Sequence, residues 1–368
     1  MLYQLALVMT PKLGPVTARK LLEFSGGSVR DLFACSESAL IAAGLRPDIA
    51  GALHHASLLH HAEQEMEYME QYGIRSCFFT DPTYPERLRQ CEDAPLLLFY
   101  TGDPVWNTHH VLSVVGTRSA SAAGKEFCEH LITDLACMDS QKPLIISGLA
   151  YGIDVCAHRS ALKAELPTIA VFGTPLQQVY PSAHIRTAEQ IRQHGALISE
   201  FYSNHPTFPG CFIRRNRIIA GMSDATLVVE SRQKGGSLIT ADIANSYNRE
   251  VFAVPGRPSD LRSEGCNWLI RTHRAHLVTS AEDLMYIMGW EASRDQMPDS
   301  GPGTPEVPEK PEEQAVLRFL REQGGQASAD HMLLNVSNVD QMTLRAALLN
   351  LEISGRIKTL PGGLYRMA

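Results

Sequence analysis

The chain has 368 residues, of which 44% are hydrophobic and 20% are charged, and it carries a formal net charge of -7. This composition is typical of a globular protein, and the length favours two or three domains over a single core. No apolar run approaches the roughly 20 residues needed to cross a bilayer, and the first ten residues lack a basic region and a cleavage site. We therefore expect a cytoplasmic protein that makes no contact with a membrane.

The cysteine and histidine patterns predict neither a disulfide framework nor a metal site. The eight cysteines are scattered without a C-x-x-C pair, which is typical of buried free thiols. Adjacent histidines occur at 54–55, 60–61 and 109–110, but no cysteine or carboxylate lies at ligand spacing. We expect no metal and no cofactor.

Residues 1–75 are predicted to form a domain of short helices at 2–9, 15–24, 29–35, 37–43 and 47–72. The step from Leu13 to Leu22 is similar to a helix-hairpin-helix (SAM/HhH-like) element, in which a glycine turn lets a helix N-terminus face a DNA phosphate. The motif is short. A structural role, in which this domain docks onto its neighbour, is the favoured interpretation.

Residues 76–292 are predicted to form an α/β domain. Apolar strands at 111–115, 144–147, 168–172, 196–199, 225–229 and 251–254 alternate with helices. Nearly continuous apolar strands separated by helices predict a parallel sheet covered on both faces. The expected fold is a Rossmann-like, doubly wound, mostly parallel sheet with its ligand at the carboxyl ends of the strands.

A linker and a small terminal domain complete the predicted layout. Residues 293–313 belong to a proline-rich, acidic stretch, which predicts an extended linker. Residues 314–368 are predicted to form three helices and a β-hairpin, the pattern of a winged helix. Six basic against four acidic side chains in this domain leave duplex DNA and a protein partner equally open.

Glycines and basic side chains follow several of the predicted strands. Ten basic and six acidic residues lie between 205 and 275, although the whole chain is acidic. Glycines let backbone N–H groups approach a phosphate, and a helix N-terminus adds a favourable dipole. The candidate residues for binding a phosphate backbone are Gly116, Arg118, Ser147, Gly148, Arg214, Arg215, Asn216, Arg217, Lys234, Gly235, Gly236 and Ser237.

Two common nucleotide-binding motifs are absent from the sequence. It contains no G-x-G-x-x-G after the first strand and no G-x-x-x-x-G-K-[ST]. The sequence therefore lacks the motifs that usually indicate dinucleotide binding or ATP hydrolysis. The loops favour a protein that binds a phosphate backbone.

Several side chains near the predicted strand ends have a structural interpretation as an alternative to a functional one. Arg118 could form a structural ion pair, and Asp154 is interpreted as a helix N-cap because no second carboxylate or nucleophile lies at matching spacing. Four aromatic side chains could stack on bases, with core packing as the favoured alternative. These are Tyr151, Tyr180, Phe208 and Phe212.

Five ordered motifs in the chain resemble the DNA-processing protein A family, also called DprA or Smf. They are V-G-x-R at 115–118, S-G-x-A-x-G-I-D at 147–154, R-R-N-R-I-I-A-G at 214–221, G-S-L-I-T-A at 236–241 and V-F-A-V-P-G at 251–256. The resemblance implies a non-catalytic homodimer that protects single-stranded DNA and loads the RecA recombinase, in natural transformation (competence) or recombination. It also implies that the strand crosses the arginines at 118, 214, 215 and 217, and Lys234.

The chain departs from the family pattern at two places. The family loop G-x-G-L-D-x-x-Y-P-x-x-N is replaced at 173–184, with Pro175, Gln177 and His184 at three of its defined positions. We make no assignment of DNA contacts to that loop. Asn248 stands where glycine is usual, and we expect it to keep the left-handed turn, which asparagine tolerates.

Two other functions stay open. The glycines at 235–236 faintly resemble the phosphate loop of nucleotide-monophosphate phosphoribohydrolases, although that family requires P-G-G-x-G-T and a following glutamate. An adaptor, in which the terminal domains recruit protein partners, is the third hypothesis and is compatible with the first.

Overall fold

The computed structural model describes residues 1–138, 141–290, 311–323, 326–336, 341–353, 356–360 and 364–367. The chain divides into two compact units, Met1–Ala292 and Ser293–Ala368. This division falls where the sequence predicts the linker to begin. Most of the predicted linker lies outside the described residues.

Six helices precede the sheet: α1 (Leu2–Met9), α2 (Pro15–Phe24), α3 (Val29–Ala34), α4 (Glu37–Ala42), α5 (Pro47–Leu53) and α6 (Ala56–Gln71). The prediction of one continuous helix over 47–72 is wrong, because the chain leaves the helix at His54. The ring of His54 binds the carbonyl of Cys35, with 2.8 Å between Nε2 and O. The ring of His55 accepts the Ser57 amide hydrogen and so caps α6.

A nine-stranded sheet forms the centre of the first unit. Its strands are β1 (Arg75–Phe78), β2 (Leu97–Gly102), β3 (Val111–Val115), β4 (Leu144–Ser147), β5 (Thr168–Phe172), β6 (Gly195–Ser199), β7 (Ala225–Val228), β8 (Glu250–Ala253) and β9 (His276–Leu277). Their spatial order is β1-β2-β6-β5-β4-β3-β7-β8-β9. Only the pairings of β1 with β2 and of β2 with β6 are antiparallel. The mostly parallel sheet is confirmed, while β1, β2 and β9 were not predicted.

The direction in which strands are added reverses between β3 and β7. From β3 the chain adds β4, β5 and β6 on one side, and it then crosses over to add β7, β8 and β9 on the other. Such a switch point leaves a crevice outside the carboxyl ends of the two central strands. The sheet order alone therefore indicates where a ligand would bind.

Helices cover both faces of the parallel strands. They are α7 (Glu86–Arg89), α8 (Ala122–Met138), α9 (Ile153–Lys163), α10 (Ile185–His194), α11 (Pro209–Gly221), α12 (Gly236–Ser246), α13 (Glu264–Arg271) and α14 (Ala281–Met288), and a short 3₁₀ helix spans Ser182–His184. Alternate side chains of β3 enter opposite cores: Val111 and Val115 pack in one, and Leu112 and Val114 in the other. The doubly wound fold follows from strands that are apolar on both faces.

The N-terminal helices share a core with the sheet. Leu5 and Leu7 of α1 belong to the same apolar cluster as Leu97 and Phe99 of β2. Residue 75 therefore marks a change of secondary structure within one compact unit. That residues 1–75 also form a separate domain stays a prediction.

The second unit contains α15 (Pro311–Glu322), β10 (Gln326–Ser328), α16 (Ala329–Asn335), α17 (Gln341–Ile353), β11 (Ile357–Leu360) and β12 (Leu364–Met367). Its strands form a separate antiparallel sheet in the order β10-β12-β11. Leu320, Leu344, Leu348 and Ile357 pack in its own core. The winged helix is confirmed, β10 was not predicted, and the predicted turn at 361–363 lies outside the described residues.

We predict that Leu7→Ala destabilises the whole first unit. Leu7 is fully buried in the shared cluster, so the cavity should lower the free energy of unfolding by about 2–5 kcal/mol. All three tryptophans, Trp106, Trp268 and Trp290, lie outside the N-terminal helices. Urea unfolding followed by tryptophan fluorescence therefore reports whether α1 unfolds together with the sheet.

The mostly exposed Val105 provides a control, because Val105→Ala should change the free energy of unfolding by less than about 0.5 kcal/mol. Circular dichroism should give the same midpoint as fluorescence for each protein. A Leu7→Ala transition seen by circular dichroism alone would show that the N-terminal helices unfold independently.

Candidate nucleic-acid interface

A crevice of about 470 Å³, here named the strand-end pocket, lies at the switch point beyond β3, β4 and β7. Eight of the twelve candidate residues line it: Gly116, Arg118, Arg215, Asn216, Lys234, Gly235, Gly236 and Ser237. The loops after three strands and one face of α11 form its walls. The topology thus brings together residues that are far apart in the sequence.

Two strand-end loops touch through their backbones at this pocket. Gly152, with φ of 80°, caps α9, and a side chain there would overlap the carbonyl oxygen of Thr117. A methyl group at Gly116 would lie 2.5 Å from a side-chain carbon of Ile153. Arg118 follows this contact directly and is exposed. Among the described residues none forms an ion pair with Arg118, which argues against the structural alternative for it.

The start of α12 supplies a second set of donors. Gly235 is the N-cap, so the amides of Gly236 and Ser237 belong to the first helical turn and have no acceptor within the helix. Lys234 is exposed beside them. The dipole of α12 and the ammonium group both favour an anion at this place.

A buried charge pair lies at the base of the pocket. Arg215 is 5% exposed and donates a hydrogen bond of 2.6 Å from Nη1 to the carbonyl of Val171. Burial lowers the pKa of Arg215 to about 10, although the nearby carboxylate of Asp154 opposes this change. Burial likewise raises the pKa of Asp154, while the charge of Arg215 counteracts it. Each group makes the burial of the other less costly.

The interpretation of Asp154 as an N-cap is wrong. The cap is Gly152, and Asp154 is the second residue of α9. Burial raises the pKa of Asp154, and the backbone amides of Ala150 and Gly148 oppose this change. Two of the amides that we expected to be available to an anion therefore lie beside a carboxylate of the protein itself.

The structure places Ser147 and Gly148 outside the lining of the pocket, and their assignment to DNA binding stays a prediction. Ser147 is fully buried, and its hydroxyl donates a hydrogen bond of 2.6 Å to the carbonyl of Val114. A side chain at Gly148 would overlap the guanidinium group of Arg215. Gly148 therefore contacts Arg215 at the base of the pocket, and neither Ser147 nor Gly148 lines it.

The three arginines of α11 do not face one ligand. Arg217 is 7% exposed, forms an ion pair with Glu200 and donates a hydrogen bond to the carbonyl of Asp93. Its assignment as a DNA contact stays a prediction, which these protein partners do not favour. Arg214 is half-exposed and lies 2.8 Å from the same carboxylate. Residues three apart share a helix face, whereas Arg215 is turned away from both and enters the pocket. Arg214 does not line the pocket.

Aromatic side chains surround the pocket. Tyr180 and Phe212 line it with their ring centroids 5.2 Å apart, and Tyr180 is 52% exposed. Tyr151 and Phe208 are also about half exposed. Core packing, the favoured alternative, is therefore wrong for Tyr151, Tyr180 and Phe208, and these exposed rings are candidates for stacking on bases.

The altered loop at 173–184 keeps an ordered set of contacts. Gln177 donates a hydrogen bond of 3.0 Å to the carbonyl of Ser203, and the ring of His184 lies 2.8 Å from the carbonyl of Leu149. The loop still presents Tyr180 to the pocket. Asn248 has φ of 55°, which confirms the expected left-handed turn.

The described ranges show neither a metal centre nor a membrane span. No group of three or more histidine, cysteine, aspartate or glutamate side chains in them is arranged to hold a metal ion. Within the same ranges, no helix has the length and apolar character that crossing a bilayer requires.

Two family models match the sequence. One, described as DNA recombination-mediator protein A, matches residues 75–289, and the other, described as the DprA winged helix domain, matches residues 300–363. The chain belongs to the DprA family. It is 37% identical over 225 residues to the DNA processing protein DprA of Streptococcus pneumoniae, covering 61% of this chain and 76% of that protein. It is 35% identical over 301 residues to the protein Smf of Escherichia coli, covering 77% of this chain and 75% of that protein.

Solved DprA structures share the fold. The X-ray structure of DprA from Streptococcus pneumoniae gives a TM-score of 0.68 at 32% identity and covers 78% of this chain and 97% of that chain. A structure of DprA from Helicobacter pylori gives 0.53 at 25% identity and covers 58% and 95%. The latter is described as revealing a unique single-stranded DNA binding mode.

We predict that Arg217 stabilises the fold more than Arg214 does. Arg217→Met should lower the free energy of unfolding by about 3–5 kcal/mol, because it removes a buried partner of the fully buried Glu200. Arg214→Met removes a half-exposed partner of the same carboxylate and should cost less than about 1 kcal/mol. Urea denaturation of the two variants measures the difference. Equal losses would contradict the structural role of Arg217.

Proposed function

We propose that the strand-end pocket binds the phosphate backbone of single-stranded DNA. The observation that carries this proposal is the convergence of two exposed cations, Arg118 and Lys234, with the first-turn amides of α12. A guanidinium fork, an ammonium group and paired amides are the donors that phosphate oxygens accept most readily. The proposed contacts are the eight candidate residues that line the pocket.

The shape and lining of the pocket favour a single strand over a duplex. A flexible strand can place phosphates against Arg118 and Lys234 and turn its bases onto Tyr180 and Phe212. A rigid duplex would present only its outer phosphates, and its stacked bases could not reach the aromatic rings. The mixture of cations and aromatic faces therefore supports an unpaired strand.

We further propose that the protein protects such strands and loads the RecA recombinase onto them as a homodimer, in natural transformation or recombination. Membership of the DprA family supports this part of the proposal. Cytoplasmic location and absence of turnover belong to it as well. Asp154, the carboxylate that lines the pocket, is buried near the charge of Arg215 and the backbone amides of Ala150 and Gly148, which suits a positioning role better than catalysis.

We predict that Arg118→Ala and Lys234→Ala each weaken binding of fluorescent oligo-dT. Removing one charged hydrogen bond should cost about 1.5–3 kcal/mol. The slope of log Kobs against log salt should decrease in magnitude by about 0.7 for each phosphate that the variant no longer neutralises. Fluorescence anisotropy across a salt series measures both quantities.

Lys142→Ala is the matched control, because Lys142 is exposed and precedes β4. It therefore lies at the amino ends of the parallel strands, opposite the pocket. This variant should bind like the wild type. Unchanged affinity in both pocket variants would remove the pocket from the proposal. Release of free base from nucleoside monophosphates, checked with the same preparation, would instead favour the phosphoribohydrolase hypothesis.

A further inference from the structure

A second basic cavity, here named the α8–α9 pocket, lies beside the strand-end pocket. It has a volume of about 660 Å³, and its lining includes Arg118, Lys125, Tyr151, Arg159 and Lys163. Arg118 lines both pockets. The neighbouring residues Ala150 and Tyr151 line the first and the second pocket, respectively, so one loop separates the two cavities.

The α8–α9 pocket has an excess of positive charge. Its lining contains four cations and one carboxylate, that of Glu129. Glu129 forms an ion pair with Lys163, and the hydrogen bond from this ammonium group lowers the pKa of Glu129. Arg118, Lys125 and Arg159 form no ion pairs in the part of the chain that the structure describes. Three cations are thus available for an anionic ligand.

The pocket also holds an aromatic face. Tyr151 is 48% exposed, and its ring meets that of His184 edge-on at a centroid distance of 5.0 Å. His184 is buried and tied to the carbonyl of Leu149. An exposed ring on a fixed support beside several cations is the combination that binds unpaired nucleotides.

We infer that a single strand bound in the strand-end pocket continues past Arg118 into the α8–α9 pocket. Its next phosphates contact Lys125 and Arg159 there, and a base stacks on Tyr151. This inference rests on the proposed function, because it extends the same strand. The shared arginine and the aromatic face favour nucleic acid over an acidic protein segment.

The test compares oligonucleotides that fill one pocket or both. The two fluorescent oligo-dT probes are about 4 and about 12 nucleotides long. Both lengths fall within the range of about 4–16 nucleotides that single-strand binding domains occupy. The double variant Lys125→Ala/Arg159→Ala should bind the longer strand roughly tenfold more weakly and reduce its salt slope by about 1.4. Affinity for the shorter strand should stay at the wild-type value.

Two further variants separate charge and stacking. Lys142→Ala/Arg274→Ala removes the same charge at the amino ends of the parallel strands, since these residues precede β4 and β9. This variant should bind both oligonucleotides normally. Tyr151→Ala should weaken only the longer strand, and Tyr151→Phe should restore its binding. Circular dichroism checks that each variant is folded.

The outcomes distinguish the inference from the proposal beneath it. If the wild type binds neither oligonucleotide, the proposed function and this inference both fail. If the wild type binds both but Lys125→Ala/Arg159→Ala affects the two lengths equally or not at all, only the inference is overturned. The inference would also be overturned if the cations of the α8–α9 pocket proved to bind an acidic protein and the double variant left binding of the longer strand unchanged.

Discussion

The close approach of the loops after β3 and β4 is the constraint on which the binding surface depends. Because Gly116 and Gly152 have no side chains, the start of α9 can lie against the backbone at Thr117. This contact fixes the position of Arg118 and places the amides of the β4 loop around Asp154. The buried carboxylate lies near Arg215 at the base of the strand-end pocket, and its charge favours the protonated guanidinium group. One backbone contact thus connects the fold to the electrostatics of the site.

The charged side chains near the pocket divide into two functional groups. Arg217 is buried and paired with Glu200 and the carbonyl of Asp93, so it stabilises the architecture. Arg118 and Lys234 are exposed and keep their donors available to a ligand. Positive charge in a sequence segment is therefore a poor guide to ligand contact until burial and partners are known.

The central strands and the family could be predicted from the sequence, because β3, β4 and β5 consist mostly of apolar residues and the motifs are long. Strand β2 could not be predicted, since it depends on antiparallel pairing with β6, almost a hundred residues away. The burial of Arg217 was missed for a similar reason. Its partner, Glu200, lies on the loop after β6, and only the tertiary structure brings that carboxylate to α11. Exposed Tyr151 and Tyr180 likewise resembled core residues in the sequence.

Helix α11 carries the pocket on one face and the ion pairs of Glu200 on another. A helix this short and well hydrogen-bonded moves as a rigid rod, so a disturbance at one face is transmitted to the other. Substitutions at Glu200 are therefore expected to disturb the strand-end pocket, although this buried carboxylate does not line it. Loss of binding by itself does not map an interface.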